Sequence, residues 1–228
     1  MKPFRLLGEG TAPDGIALAL YEHDGDYLIR ANGADLMSTR RHHSEVVLAQ
    51  LACAPLADVA GVRVLVGGLG LGFTLKAALG VLGPDARVVV AEIAQVVIDW
   101  NLNPAYPLAR EALSDPRVEL CHADVADVLA RRRGGFDAVM LDVDNGPEAL
   151  TTATNTRLYR SVGVAQAMAS LRPGGRLAYW SAGDDPEFES TLRQAGLSVS
   201  VTQARAHISA GPLHTLYVAQ LSHQGSGR

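Results

Sequence analysis

The sequence has few aromatic residues, few cysteines and no excess of positive charge. Aromatic side chains make up 5% of the 228 residues, and the two cysteines are Cys53 and Cys121. Two cysteines cannot form a framework of several disulfides, so we predict a protein of the reducing cytoplasm. The 20 Lys and Arg residues against 24 Asp and Glu residues give a net charge of −4. Binding to nucleic acid or to an anionic membrane surface is therefore not expected.

Long apolar stretches are missing as well. The N-terminal segment MKPFRLLGEG lacks the apolar core of a signal peptide, which predicts a soluble protein that stays in the cytoplasm. The most apolar run without charge, residues 64–75, is too short to span a bilayer and contains four glycines. The length suits one substantial domain, and 48% of the residues are hydrophobic, enough for a sizeable core.

The first forty residues differ in pattern from the rest of the chain. Two short strand-like runs, 15–20 and 27–30, flank an Asp-Gly pair at Asp24 that is typical of a hairpin turn. A third short run follows at 35–38. We therefore predict a small antiparallel β-unit in residues 1–43.

Residues 44–221 alternate between apolar strands and segments with helical spacing. The predicted strands are 62–66, 87–91, 117–121, 136–142 and 176–180, with a terminal hairpin of 199–204 and 215–220. The predicted helices are 44–56, 73–82, 94–101, 125–132, 155–171 and 186–195, and a turn is predicted at 172–175. Apolar strands that alternate with helices are typical of a parallel sheet covered on both faces. We predict an α/β, Rossmann-like domain over residues 44–221, followed by a flexible tail at 222–228.

A glycine-rich loop connects the first of these strands to the helix that follows it. Gly67, Gly68, Gly70 and Gly72 allow a sharp turn and the approach of a ligand to the backbone. Phe73 follows the last glycine, where a phosphate-binding loop has lysine and a dinucleotide-binding loop has glycine or alanine. The GxGxG spacing is common in nucleoside-binding sheets, and a purely structural turn is the alternative.

Acidic residues follow the next two strands. Glu92 ends the strand at 87–91, where a carboxylate can accept both ribose hydroxyls of a bound nucleoside. Asp124 follows the strand at 117–121, where it can accept a hydrogen bond from an adenine amino group. Ligand-binding features at three successive strand ends predict a nucleoside site; the alternative for each acid is an ordinary surface residue.

Two further acids come at the end of the fourth strand. Asp142 and Asp144 are two residues apart, so an extended backbone would point both to the same face. Paired carboxylates can bind a cationic amine and remove its proton. Glu45, His42 and His43 are predicted to approach the same place from the preceding helix. The alternatives are a buried cap with an exposed turn residue for the aspartates, and a polar helix cap for the histidines. No residues have metal-ligand spacing, so no metal is predicted.

Taken together, these motifs resemble the spermidine synthase family, a branch of the class I S-adenosylmethionine-dependent transferases. The matching segments are, in chain order, the N-terminal β-unit, VLVGGLGLGFTLKAAL, VVVAEI, HADVADVL, FDAVMLDVDNGPEAL and LRPGGRLAYW. The resemblance covers residues 15–217 and implies a class I methyltransferase fold with a seven-stranded sheet, in a homodimer. It also implies that Glu92 holds the ribose, Asp124 the adenine amino group, and the glycine loop with Asp142 the rest of the donor.

The sequence departs from the family pattern at the residues specific to the reaction. Family members that use decarboxylated S-adenosylmethionine carry an acid in the glycine loop, GGGDGG, and Gly70 stands at that position here. The acidic block after the fourth strand is shortened to residues 142–147, and the family's Tyr-His-Glu reads His43-Ser44-Glu45. An acid in the loop would repel the carboxylate of S-adenosylmethionine, so its loss favours that donor.

We therefore predict a transferase that uses S-adenosylmethionine to methylate a small amine, with Asp142, Asp144, Glu45 and His43 as catalytic residues. One alternative is an aminopropyltransferase that uses decarboxylated S-adenosylmethionine and putrescine. Another is a nucleoside-binding or dimerisation module without catalysis. A nicotinamide-dependent dehydrogenase is disfavoured by Phe73.

Overall fold

A computed structural model of the chain describes residues 3–143 and 155–221. A four-stranded antiparallel sheet comes first and is followed by a seven-stranded, mostly parallel sheet. Buried side chains form one apolar cluster on each face of the larger sheet, with helices packed on both. The predicted α/β fold class is confirmed. Within the described residues, no helix has the length and apolar character needed to cross a membrane.

The N-terminal sheet has one strand more than the sequence predicts. It consists of β1 (Arg5–Thr11), β2 (Ala17–His23), β3 (Asp26–Ala31) and β4 (Ala34–Ser38), each antiparallel to the next. The predicted hairpin turn at Asp24 connects β2 and β3, with Asp24 itself in the left-handed region at φ 53°. The sequence does not predict β1, because its glycines and charged residues interrupt the alternation of apolar and polar residues that marks a strand.

The larger sheet is built from strands that alternate with helices along the chain. Its elements are α1 (His43–Cys53), β5 (Arg63–Gly67), α2 (Phe73–Val81), β6 (Arg87–Glu92), α3 (Gln95–Leu102), α4 (Arg110–Leu113), β7 (Val118–His122), α5 (Val125–Arg131), β8 (Phe136–Leu141), α6 (Ser161–Ser170), β9 (Leu171–Ser181), α7 (Pro186–Gln194), β10 (Leu197–Arg205) and β11 (Leu213–Leu221). Short 3₁₀ helices lie at Ala54–Leu56 and Asn155–Tyr159.

The strand order in this sheet is β10-β11-β9-β8-β5-β6-β7. From β5 the chain runs outward to β6 and β7, then returns to the other side of β5 to form β8. Open α/β sheets bind ligands at such a reversal of direction, outside the carboxyl ends of the strands. β11 is antiparallel to both of its neighbours, so the predicted terminal hairpin is present.

The register of the parallel strands brings the predicted site residues to one edge. Gly67, the last residue of β5, lies opposite Ala91 of β6 and Leu141 of β8. Glu92 lies opposite His122 at the end of β7. The glycine loop and the residues that follow β6, β7 and β8 therefore emerge side by side.

Two predicted elements differ from the structure. The segment predicted as one helix over 155–171 is a 3₁₀ helix, an extended residue at Arg160 (ψ 163°), and then α6. Gly163 packs against the Arg157 carbonyl across this turn. A Cβ on residue 163 would lie only 2.2 Å from that carbonyl oxygen, so the turn requires glycine there. The predicted turn at 172–175 lies inside β9, where it forms a bulge. Leu171 before the bulge pairs with Phe136 of β8, and Arg176 after it pairs with Ala138.

The proposed division into residues 1–43, 44–221 and 222–228 stays a prediction, and the tail lies outside the described residues.

Candidate functional site

A cavity of about 1140 Å³ opens at the carboxyl edge of the parallel strands, with the N-terminal sheet forming part of its wall. Six of the predicted site residues line it, namely Glu45, Gly68, Gly70, Glu92, Asp124 and Asp142. They come from the start of α1 and from the ends of β5, β6, β7 and β8. The cavity therefore joins the predicted donor and acceptor residues in one space.

The glycine loop is held close to its neighbours. Gly68 has φ 92°, and a Cβ there would lie 2.3 Å from the backbone oxygen of Asp142. Gly72 begins α2 with φ 80°, and a Cβ there would lie 2.3 Å from the Cβ of Ala109. Gly67 and Gly72 do not line the cavity, and both pack against side chains of the core. Their predicted contact with the cofactor stays a prediction.

Met37 of β4 occupies the space beside Gly70. A Cβ on Gly70 would lie 2.5 Å from both the Sδ and the Cε of Met37. An acidic side chain at position 70 would therefore require the methionine to move. Because Met37 belongs to β4, the N-terminal sheet takes part in shaping the donor loop.

Four backbone N–H groups of the loop already have acceptors. The N–H of Gly68 donates to Ala91 O at 2.8 Å, and that of Leu69 donates to Glu92 Oε2 at 2.9 Å. The N–H of Leu71 donates to Met37 Sδ at 3.2 Å, and that of Gly72 donates to Leu69 O at 2.7 Å. The predicted preference for S-adenosylmethionine assumes that loop amides can receive a ligand carboxylate. These four hydrogen bonds remove most of that capacity.

Glu92 is buried at the end of β6 and is fixed by backbone donors. Its Oε2 accepts from the Leu69 N–H at 2.9 Å, and its Oε1 accepts from the Ala94 N–H at 2.8 Å. Two such hydrogen bonds orient a carboxylate toward the cavity, and each oxygen has a second acceptor site. Glu92 can therefore hold ribose hydroxyls and also keep the glycine loop in place.

Asp124 caps the N-terminus of α5. Its Oδ1 accepts from the Ala126 N–H at 2.8 Å, and its Oδ2 forms an ion pair with Arg157. The side chain lies on the cavity wall, as a residue that recognises an adenine amino group must. Sequence reasoning did not reveal Arg157 as its partner.

Glu45 and Asp142 form the acidic part of the acceptor side. Glu45 lies in the first turn of α1 with 5% of its surface exposed, and its Oε2 accepts from the Ser44 hydroxyl at 2.6 Å. Asp142 follows β8 and accepts from the Thr74 hydroxyl, also at 2.6 Å. Burial and, to a smaller extent, the negative charge of Asp142 raise the pKa of Glu45 to about 8.

A cluster of side chains next to Glu45 was not found from the sequence. Ser44 is fully buried, and its Oγ accepts from the Nε1–H of Trp180 at 3.0 Å and lies 2.9 Å from Nδ1 of His214. Trp180 belongs to β9 and His214 to β11. Burial lowers the pKa of His214. Nothing local in the sequence links Ser44 with His214, because they are 170 positions apart.

The remaining predicted residues lie elsewhere. His43 is the first residue of α1 and donates its backbone N–H to Ala206 O at 2.9 Å, and His42 stacks on Phe73 with ring centroids 4.0 Å apart. Neither histidine lines the cavity. Asp144 lies outside the described residues. The catalytic roles of His43 and Asp144 stay predictions.

The cavity wall carries an excess of negative charge. Its acidic residues are Asp26, Asp35, Glu45, Glu92, Asp124, Asp142, Asp184, Asp185 and Glu187. Its arginines are Arg40 and Arg41, and it has no lysine among the described residues. Three of the nine carboxylates, Asp26, Asp35 and Asp124, form ion pairs with arginines. Such a wall attracts cations.

Neither protein-family models nor curated proteins match this chain, whereas solved structures do. A spermidine synthase in complex with the transition state analogue AdoDATO superposes with a TM-score of 0.73 at 16% identity, covering 96% of this chain and 73% of that one. The spermidine synthase from Thermotoga maritima gives 0.71 at 17% identity, with the same coverage. A probable spermidine synthase from Corynebacterium glutamicum gives 0.64 at 16% identity, covering 95% and 80%. The chain therefore has the fold of the spermidine synthases.

Proposed function

We propose that this chain is a transferase that binds decarboxylated S-adenosylmethionine and transfers its aminopropyl group to a small amine. The observation that carries the proposal is the charge of the cavity wall. Of its nine carboxyl groups, three form ion pairs with arginines and Glu45 keeps its proton near neutral pH, so negative charge is still in excess. This choice replaces methyl transfer, which the sequence favoured because Gly70 stands where the family has an acid.

Charge distinguishes the two donors. S-adenosylmethionine has a carboxylate beside its ammonium group, whereas the decarboxylated donor has only its sulfonium and ammonium charges. A ligand carboxylate near the wall acids would experience like-charge repulsion, which costs on the order of a few kcal/mol in a partly buried site. Four of the loop N–H groups that could offset this repulsion already donate to other acceptors. Both observations favour the decarboxylated donor.

The donor end of the cavity fits a nucleoside. Glu92 offers two fixed carboxylate oxygens to ribose hydroxyls, and Asp124 offers an acceptor to an adenine amino group. Gly68 and Gly70 present backbone without side chains to the cavity. We assign the nucleoside to this end and the amine to the end that contains Glu45 and Asp142.

The acceptor amine arrives as an ammonium ion and must lose one proton before it can react. Its nitrogen then bonds to the propyl carbon while the bond between that carbon and the sulfonium sulfur breaks, which leaves methylthioadenosine and a longer amine. Asp142 has the charge to hold the ammonium ion and the basicity to take its proton, and Glu45 can do the same once it has lost the proton that burial keeps on it. Positioning supplies the remaining acceleration, since the carbon is already activated.

Methyl transfer from S-adenosylmethionine is the second candidate, and Gly70 is the specific observation in its favour. Isothermal calorimetry with both donors on the wild-type protein tests the choice. We expect the decarboxylated donor to bind at least ~10-fold more tightly, or about 1.4 kcal/mol. Mass spectrometry after incubation with that donor and putrescine should then find methylthioadenosine. S-adenosylhomocysteine formed from S-adenosylmethionine and an amine would restore methyl transfer, and no binding of either donor would indicate a non-catalytic module.

A pair of variants tests the donor loop directly. Gly70→Asp combined with Met37→Ala places an acid in the loop and removes the methionine that it would meet. We expect this double variant to prefer the decarboxylated donor more strongly than Met37→Ala alone, which is the matched control. An unchanged preference would mean that the donor's ammonium group does not lie near Gly70. Homodimer formation and a cytoplasmic location stay predictions.

A further inference from the structure

The buried hydroxyl of Ser44 lies at a junction of three hydrogen-bond partners. Its Oγ is 3.0 Å from Trp180 Nε1, 2.6 Å from Glu45 Oε2 and 2.9 Å from His214 Nδ1. Ser44 has no exposed surface, and Glu45 has 5%. Because Ser44 is shielded from water, the hydrogen bonds of its hydroxyl must be satisfied by these three groups.

Two arrangements of hydrogen atoms satisfy this junction when the proton of Glu45 lies on Oε2, the oxygen that faces Ser44. A hydroxyl has one hydrogen to donate and two lone pairs, and indole N–H can only donate, so Trp180 occupies one lone pair. In the first arrangement Ser44 donates to an ionised Glu45 and accepts from Nδ1–H of His214. In the second, a protonated Glu45 donates to Ser44, which donates to an unprotonated Nδ1 of His214.

We propose that Ser44 and His214 form a proton relay that connects Glu45 to solvent. The relay rests on the proposed function for its purpose, which is to carry away the proton that the acceptor amine must lose. Glu45 lies in the cavity, and His214 is a partly exposed residue of β11 that lines the same cavity. Ser44 and His214 act through Glu45 and are positioning residues rather than catalytic ones.

The transfer conserves atoms and charge. Starting from protonated Glu45, the Oε2–H bond breaks as the proton moves to Ser44 Oγ, and the hydrogen of Ser44 moves to Nδ1 of His214. Glu45 is then an anion and the imidazole is a cation. His214 next releases its Nε2 proton to solvent, which leaves the neutral Nδ1–H tautomer of the first arrangement. One proton has left Glu45, and Ser44 is unchanged.

The surroundings of Glu45 favour this path. Its charged neighbour across the cavity is Asp142, after β8, whose carboxylate accepts from Thr74 of α2. β9 contributes the neutral Trp180, and β11 contributes His214. Burial and Asp142 keep the proton on Glu45 near neutral pH, with a pKa of about 8. An ammonium ion that enters between Glu45 and Asp142 reverses this balance and drives the proton toward Ser44.

The two arrangements differ in which nitrogen of neutral His214 carries hydrogen, and this is measurable without any substrate. Nitrogen-15 NMR of the imidazole side chains of the whole protein reports the tautomer directly. Between about pH 6 and about pH 10, we expect His214 to change from the Nε2–H to the Nδ1–H form, with a midpoint at the pKa of Glu45, about 8. The His214→Gln variant assigns the signal, and exposed His207 is the internal control.

Two variants make the test decisive. Glu45→Gln keeps the shape of the side chain and removes its titration, so the tautomer of His214 should stay fixed over the same pH range. Ser44→Ala breaks the connection and should have the same effect. Ser44→Ala leaves the Trp180 N–H without its partner, so circular dichroism should verify its fold. A wild-type His214 that keeps one tautomer throughout, or a switch that persists in Glu45→Gln, would overturn the relay.

Addition of putrescine at neutral pH separates the relay from the proposed function. If both are right, putrescine should shift wild-type His214 to the Nδ1–H tautomer at a pH where the free protein has the Nε2–H form. A pH-driven switch that putrescine leaves unchanged would support the relay and contradict an amine site at Glu45. A missing pH-driven switch would contradict the relay, whatever the calorimetry with the two donors shows.

Discussion

The two ends of the cavity hold their carboxylates in different ways. At the donor end, backbone N–H groups donate to Glu92 and Asp124. At the acceptor end, side-chain hydroxyls donate instead, from Ser44 to Glu45 and from Thr74 to Asp142. Backbone N–H groups can only donate, whereas a hydroxyl can donate or accept. The donor end is therefore built for fixed, ionised carboxylates, and the acceptor end for carboxylates that exchange protons.

The largest effect is expected from breaking the acceptor end at Asp142. Asp142→Asn keeps an oxygen that can accept from Thr74 but cannot take a proton. Loss of a general base lowers rates by roughly 10²–10⁴-fold. We expect a fall of that size in methylthioadenosine formation from decarboxylated donor and putrescine, measured by mass spectrometry, with little change in donor affinity.

The control for Asp142→Asn is Asp58→Asn, an exposed aspartate in the loop before β5, at the other end of the strands from the cavity. It should keep wild-type activity. A near-normal rate in Asp142→Asn would mean that another group takes the proton of the acceptor amine. A large loss of donor affinity in that variant would mean that Asp142 belongs to the donor end, which the sequence also predicted for it.

A second prediction concerns stability and tests whether Glu45 exchanges protons. Its pKa is about 8 in the folded protein, against an ordinary value of 4.5. Between these values the folded protein holds a proton that the unfolded chain has lost, so the free energy of unfolding falls as pH rises. The expected slope is about 1.4 kcal/mol per pH unit, and the whole effect is on the order of a few kcal/mol.

Urea unfolding at several pH values measures this effect. Wild type should lose stability between about pH 5 and about pH 8 relative to Glu45→Gln, which lacks the titrating group. The exposed Glu187→Gln variant should follow wild type. Parallel curves for wild type and Glu45→Gln would show that Glu45 is ionised throughout, like the carboxylates of the donor end.

The smallest effect is expected at Glu92. Glu92→Gln keeps one oxygen for a backbone N–H and removes the negative charge, which should weaken donor binding by about 1.5–3 kcal/mol in calorimetry. Gln is a better choice than Ala, because Ala would leave the N–H groups of Leu69 and Ala94 unsatisfied in a buried place. The bond from Leu69 ties Glu92 to the glycine loop, and the bond from Ala94 ties it to the start of α3. Unchanged affinity would remove Glu92 from the donor site.

The same contrast explains what the sequence could predict. Gly68, Glu92 and Asp124 are recognisable because each lies at the end of a strand or within two residues of it, and parallel strands end at one edge of the sheet. Their positions follow from local pattern alone. The apolar runs of β5, β6 and β8 are just as readable, since strands buried on both faces have little choice of residue.

The acceptor end could not be predicted in the same way. Ser44, Trp180 and His214 meet only because α1 packs on the C-terminal part of the sheet, so no spacing in the sequence links them. The break at Arg160 in the helix predicted over 155–171 could not be predicted either. It involves the close packing of Gly163 on the preceding turn, and the sequence has no proline there to mark it. The preference for S-adenosylmethionine rested on Gly70 alone and left out the acids that other elements bring to the same cavity.

The contact between Met37 and Gly70 has an evolutionary consequence. Two positions in different sheets share one space, so the effect of a substitution at either depends on the residue at the other. An acid at position 70 requires either a new conformation of the flexible Met37 side chain or a smaller residue at position 37. Relatives with an acid in the loop should therefore carry a smaller or displaced side chain at the position of Met37.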